Sequence, residues 1–268
     1  MLEIKNLFCG YRGIDVIRDL SLRAEPGEFL CIVGPNGCGK TTLLKSMVRL
    51  IPYRGSITLE GRDISSYARK DLARRIALLG QSSELYFPYT VYDTAALGRY
   101  AHSGGFLRGL SREDERIIAD ILQRLELYEE KDRMINELSG GQLQRVFLAQ
   151  TLVQNPDLIL LDEPTNHLDL KHQIELLRYL TRWAEENNKT VIGVLHDLNL
   201  ARFFARTVAV LGKGRLIARG RPGTVLDGET LGSLYGVDIR QFMLDSLENW
   251  RDTPAGLREG GQAPGIRK

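Results

Sequence analysis

The run Gly34-Pro35-Asn36-Gly37-Cys38-Gly39-Lys40-Thr41-Thr42 has the residue types and spacing of a polyphosphate cradle. An apolar stretch, Glu28 to Val33, precedes it and reads as a buried strand; Leu43 to Val48 follows and reads as a helix. Strand, then G-x-x-x-x-G-K-T, then helix is the context in which this pattern binds phosphate. The glycines let successive backbone N–H groups point at one anion, and the helix start adds unpaired donors and a positive dipole end. Asn36, Gly37, Cys38, Gly39, Lys40, Thr41 and Thr42 are therefore expected around a nucleoside triphosphate. Lys40 would bring a mobile charge to the outer phosphates, and Thr41 a hydroxyl for Mg2+.

Leu158-Ile159-Leu160-Leu161 followed by Asp162-Glu163 supplies a second half to such a site. A buried strand would deliver both carboxylates at its C-terminal edge, where ligands of open α/β sheets bind. Asp162 could hold magnesium beside Thr41, leaving Glu163 to orient and deprotonate a water for in-line attack on the γ-phosphate. His196 ends another apolar strand, Thr190 to Leu195, and is either a satisfied core histidine or a catalytic one. Gln81, just past a further strand, is either a polar loop residue or a magnesium ligand that senses the γ-phosphate. Ser139-Gly140-Gly141 opens a helix read as Gln142 to Gln154 and is a second helix start able to bind an anion. One chain with two such starts and one ATP suggests that the second serves the nucleotide of a partner.

These residues need a scaffold. Residues 2–8 and 14–23 read as strands joined by Cys9-Gly10-Tyr11-Arg12-Gly13, where Tyr11 is either hairpin punctuation or a base-stacking ring. Residues 55–60 and 74–79 read as further strands. After Gln81 the texture changes: Tyr86, Phe87, Tyr89 and Tyr92 crowd together, and Ser111-Arg112-Glu113-Asp114 starts a helix whose apolar residues, Ile117 to Leu125, recur at helical spacing. Residues 88–155 thus look like an all-helical insert in an alternating α/β chain. From Asp157 strands and helices alternate again: 158–161, 169–187, 190–195, 197–205 and 207–211, the last turning through Gly212-Lys213-Gly214 into 215–219. That order predicts a mostly parallel sheet with right-handed crossovers. The expected organisation is one domain over residues 1–240 and an extension over 241–268, poorly ordered from about residue 251, where glycine and proline abound.

Bulk properties narrow the classes. The 268 residues are 43% hydrophobic and 26% charged, as in an ordinary globular protein. The apolar runs are strand-sized, far short of the about eighteen residues of a membrane helix, and the N-terminus lacks a signal-like apolar core; a cytoplasmic chain is expected. Net charge is only +2, which speaks against a nucleic-acid partner. Cys9, Cys31 and Cys38 form no metal-type cluster and suit reduced thiols, with Cys38 a possible target for alkylation inside the phosphate loop.

In sum the chain resembles an ATP-binding-cassette ATPase across residues 1 to about 240, on GPNGCGKTT, Gln81, LSGGQ, LILLDE, Asn166-His167-Leu168-Asp169 and His196, all in that family's order. The resemblance implies a P-loop NTPase core with a mostly parallel sheet, an N-terminal antiparallel β subdomain and an inserted helical subdomain. It implies adenine stacking by Tyr11, contact of His196 with the γ-phosphate, a D-loop role for Asp169, and ATP bound in trans by Ser139, Gly140, Gly141 and Gln142. It further implies a head-to-tail homodimer with two sandwiched ATPs on the cytoplasmic side of the membrane. Membrane permease subunits and, indirectly, a substrate-binding protein would be its partners. Gly98-Arg99-Tyr100, Leu168 to Gln173 and Tyr235-Gly236-Val237 look like importers of iron-siderophore, haem or cobalamin, and Tyr86 to Tyr92 offers aromatic contacts either to the permease or between subdomains. The alternatives are another transporter class, a soluble cassette protein acting on ribosomes or DNA, and a P-loop kinase, which would leave the serine-glycine loop unexplained.

Overall fold

A computed structural model describes residues 1–80, 89–102, 109–166 and 168–251, with side chains through residue 248. The chain divides into two compact units, Met1–Leu226 and Asp227–Lys268.

The first unit begins with antiparallel strands β1 (Leu2–Tyr11) and β2 (Ile14–Ala24). Strand β3 (Phe29–Val33) is buried along its whole length, as its unbroken apolar sequence requires of a strand covered on both faces. Helix α1 (Lys40–Met47), β4 (Tyr53–Leu59), β5 (Arg62–Asp63), α2 (Arg69–Arg75) and β6 (Ile76–Leu79) follow. Next come α3 (Val91–Ala96), α4 (Arg112–Arg124) and α5 (Gly140–Val153). The unit closes with β7 (Leu158–Asp162), α6 (Leu170–Glu186), β8 (Thr190–Val194), α7 (Leu198–Phe204), β9 (Thr207–Gly212), β10 (Arg215–Gly220) and α8 (Pro222–Val225).

Two sheets result. One is antiparallel, in the order β2-β1-β4-β5. The other runs β10-β9-β3-β8-β7-β6, with β9, β3, β8, β7 and β6 parallel and β10 an antiparallel edge. The sheets share an apolar core into which α1 sends Leu43, Leu44 and Met47, all fully buried. Because α1 is held by both sheets, the loop that precedes it is fixed relative to the whole parallel edge.

The helical interval is tied together by hydrogen bonds. Ser111 and Asp114 form the expected capping box of α4, and Arg99 Nε bonds Asp114 Oδ1 at 2.6 Å while Arg99 Nη1 holds the Val153 carbonyl. The Gln154 side chain reaches the carbonyls of Ala73 and Ile76, linking the end of α5 to the start of β6. One local expectation fails: residues 74 and 75 are the last turn of α2, and β6 starts only at Ile76. Helix α2 buries a single apolar residue, Leu72, so it carries no visible periodicity; its Asp71 in the first turn and Arg74 and Arg75 in the last complement the helix dipole.

The second unit contains α9 (Gly228–Tyr235) and α10 (Ile239–Arg251). Asp227 caps α9 through the Thr230 N–H at 2.7 Å, and Gly236 ends it at φ 73°. A boundary at residue 240 falls inside α10; the tail from residue 252 lies outside the described residues.

Candidate nucleotide site

The carboxyl ends of the adjacent strands β3, β8 and β7 carry, in that order, the phosphate loop, His196 and the pair Asp162-Glu163. A topology of parallel neighbours therefore brings residues distant in sequence to one edge.

The phosphate loop is shaped by tight contacts. Gly39 caps α1 at φ 106°, and a Cβ there would stand 2.6 Å from the Ile17 side chain of β2. At Gly34, φ 154°, a Cβ would lie 2.2 Å from the Leu211 carbonyl of β9, so both positions exclude a side chain. The turn between β9 and β10 presses on the loop as well: the Gly214 N–H donates to the Cys38 carbonyl at 3.2 Å, and the Gly214 carbonyl accepts from the Arg18 N–H at 2.8 Å. Lys40, 5% exposed, turns its ammonium back over the loop and donates to the carbonyls of Gly34 at 2.8 Å and Pro35 at 3.0 Å. Cys38 is buried, and burial pushes its thiol pKa up, with Lys40 opposing. Its backbone belongs to the loop, but its sulfur is poorly placed for the alkylation raised from the sequence.

Thr41 Oγ1 donates to Asp162 Oδ1 at 3.2 Å, joining the first turn of α1 to the end of β7. Asp162 is 4% exposed, and burial raises its carboxyl pKa, reinforced by the neighbouring Glu163 and opposed by the Thr41 hydroxyl. A hydroxyl and a carboxylate brought together in a buried place are hard oxygen donors of the kind Mg2+ takes, so the residues fit that ion.

Glu163 sits just past β7 with φ 58°, a turn that directs its side chain toward β8. There Glu163 Oε1 meets His196 Nε2 at 2.6 Å, and its other oxygen, Oε2, accepts from Asn166 Nδ2 at 2.6 Å. The loop beyond is pinned by Gln144 Nε2 on the Pro164 carbonyl and by Gln173 Nε2 on the carbonyls of Thr165 and Leu168. Asp169 caps α6, accepting from the His172 N–H at 2.9 Å, and that hydrogen bond keeps its carboxyl pKa low. Ser139 and Gln142 form a capping box on α5, with Ser139 and Gly140 exposed. Tyr11, at the tip of the β1–β2 hairpin, is 44% exposed.

The structure thus joins Lys40, Thr41, Asp162, Glu163 and His196 into one cluster and leaves the serine-glycine loop presented outward. Gln81, Tyr86, Phe87 and His167 lie outside the described residues. Asn166 and the Gly214 turn were not read from the sequence as parts of this site. Asn166 was quoted only within a motif, and nothing local marks a hairpin turn as a strap for a loop so far back in the chain.

Residues 17–166 match the family model described as ABC transporter. With this fold and edge, the chain belongs to that family, as an ATP-binding subunit that hydrolyses ATP. It is 39% identical over 238 residues to the iron(3+)-hydroxamate import ATP-binding protein of Bacillus subtilis strain 168, covering 88% of each chain. It is 39% identical over 264 residues to the ferric enterobactin transport ATP-binding protein of Escherichia coli strain K12, covering 98% of this chain and 96% of that one. A solved dimeric ATP-binding cassette in a post-hydrolysis state with ADP and Pi superposes with a TM-score of 0.73 at 30% identity, covering 83% of this chain and 99% of that chain.

Proposed function

We propose that this subunit powers uptake of a ferric siderophore or a closely related metal chelate through a separate membrane permease, to which it binds at the cytoplasmic face. The two relatives named for ferric hydroxamate and ferric enterobactin support the substrate class. Among the described residues no helix is long and apolar enough to cross a membrane. The working unit is a head-to-tail homodimer in which ATP lies between the phosphate loop of one copy and Ser139 to Gly141 of the other. The dimeric cassette with ADP and Pi supports that arrangement.

The observation that carries the chemistry is the cluster at the sheet edge. Backbone N–H groups from Gly37 to Thr42 and the Lys40 ammonium bind the phosphates. Thr41 and Asp162 would hold Mg2+, which supplies charge neutralisation on the phosphate oxygens. Glu163 orients a water and takes its proton as the oxygen attacks the γ-phosphorus in line; the bond to the β-phosphate oxygen breaks, releasing ADP and phosphate. His196 fixes the Glu163 carboxylate from one side and stands ready for the γ-phosphate. Tyr11 provides a ring for the adenine, and Asp169 and Gln142 belong to the surface that meets the second copy.

Reconstitution of this chain with its permease and binding protein in vesicles tests the reading. ATP-driven uptake of labelled ferric siderophore, exceeding that of haem and cobalamin, is the expected result. Uptake of haem or cobalamin instead would move the substrate, and no uptake of any of the three would overturn the import role.

A further inference from the structure

The serine-glycine loop is held by a chain of contacts that begins outside it. Gln142 Nε2 donates to both oxygens of Glu130, each at 2.9 Å, while Gln142 Oε1 accepts from the Ser139 N–H at 3.0 Å. The assignment of the amide is unambiguous, because a carboxylate can only accept and a backbone N–H can only donate. The Ser139 hydroxyl completes the box by accepting from the Gln142 N–H at 3.3 Å. Glu130 is itself fixed: Arg133 Nη1 lies 3.2 Å from Glu130 Oε2, and Arg133 Nη2 donates to the Glu137 carbonyl at 2.9 Å. The segment bearing them is laced to the start of α3 by three backbone hydrogen bonds, from Val91 to Arg133, from Tyr92 to Lys131 and from Ile135 to Tyr89. A Cβ at Gly140 would meet nothing within 4 Å, and Ser139 and Gly140 are exposed, so the loop that this box shapes is open to a second molecule.

A free glutamine at that position would cap its helix in several rotamers. Glu130 removes that freedom by holding the Gln142 amide nitrogen with both oxygens of one charged acceptor, and such charge-assisted bonds are stronger than neutral ones. The geometry points to Glu130 as a positioning residue for nucleotide binding in trans: it holds Gln142, and through it Ser139, Gly140 and Gly141, in the conformation that meets the ATP of a second copy. The inference rests on the dimer described under the proposed function. It adds a residue that touches no nucleotide, and it routes control of the serine-glycine loop through the segment joined to α3.

The test uses the full chain carrying Glu163→Gln, so that ATP is bound and not consumed. ATP-induced dimerisation is followed by sedimentation, and nucleotide affinity of the single chain by fluorescence of a methylanthraniloyl-ATP. Adding Glu130→Ala is expected to weaken dimerisation about ten-fold, the scale of one lost charge-assisted bond, while affinity of the single chain stays unchanged. Glu130→Gln keeps one acceptor oxygen and is expected to recover part of that loss. Unchanged dimerisation in Glu130→Ala would overturn the role. An equal loss in both variants together with a lowered Tm would mark a folding defect and overturn it too. If the Glu163→Gln parent itself stays monomeric with ATP, the dimer reading fails, and this inference with it.

Discussion

Glu163 Oε1 and His196 Nε2 stand 2.6 Å apart, across the ends of the neighbouring strands β7 and β8. The other oxygen of the same carboxylate is held by Asn166, so the group proposed as the base is fixed from both sides. Preorganisation of this kind lowers the cost of placing the group in the transition state.

Glu163→Gln should keep nucleotide affinity and lower kcat by at least about 100-fold, the usual contribution of a general base. His196→Ala should lower kcat with a smaller change in affinity, because it removes one of two groups aiming the carboxylate. Steady-state ATPase rates beside equilibrium nucleotide titrations decide both; a rate near the parent's in Glu163→Gln would reassign the base.

Asp162 carries its charge in a place that disfavours it. A carboxyl whose folded pKa is raised costs the folded chain stability at every pH where it is ionised, above that folded value. Asp162→Asn should therefore raise the Tm of the nucleotide-free protein, by about 2–4 °C for each kcal/mol relieved, while abolishing magnesium-dependent turnover. Thermal scans near neutral pH read the first effect and ATPase assays the second. A lowered Tm would show that the Thr41 hydrogen bond outweighs the burial.

Asp114 has the opposite sign. The Ser111 hydroxyl first, then the Ser111 N–H and Arg99, pull its pKa from 3.8 to about 2 against its burial. Its stabilising contribution is fully present above the unfolded value and fades as pH falls from about 4 toward about 2. Asp114→Asn should cost about 1–2 kcal/mol near neutral pH, the scale of a lost helix cap and ion pair. The gap in stability between parent and variant should close in acid, as followed by urea titrations at several pH values.

Cys38 should label slowly. With a buried sulfur and a raised pKa, its reaction with maleimide at neutral pH should be much slower in the native chain than in the unfolded one. Mass spectrometry of timed samples measures this, and equal rates would mean that the loop opens freely.

What could be read from the sequence were the parts whose function is written in consecutive residues. The phosphate loop, Leu158 to Glu163 and the Ser139 helix start each combine a backbone transition with side chains next to it, and the structure has each transition, though α5 begins at Gly140, two residues before the expected Gln142. The α/β order and the capping box at Ser111 were legible for the same reason. Helix α2 was not, because a two-turn helix with one buried leucine has no period to detect. The partners of Glu163 and Gln142 were hidden in another way. Asn166 and Glu130 are ordinary polar residues until the fold sets a carboxylate or an amide opposite them.

The strap formed by β2 and the β9–β10 turn has an energetic consequence. A loop already wedged between Ile17, Leu211 and Gly214 has little conformational freedom left to lose when phosphate arrives. Nucleotide binding then spends almost nothing on shaping its own receptor. The free energy it releases stays available for whatever rearrangement follows binding, which in the proposed dimer is the approach of the second copy.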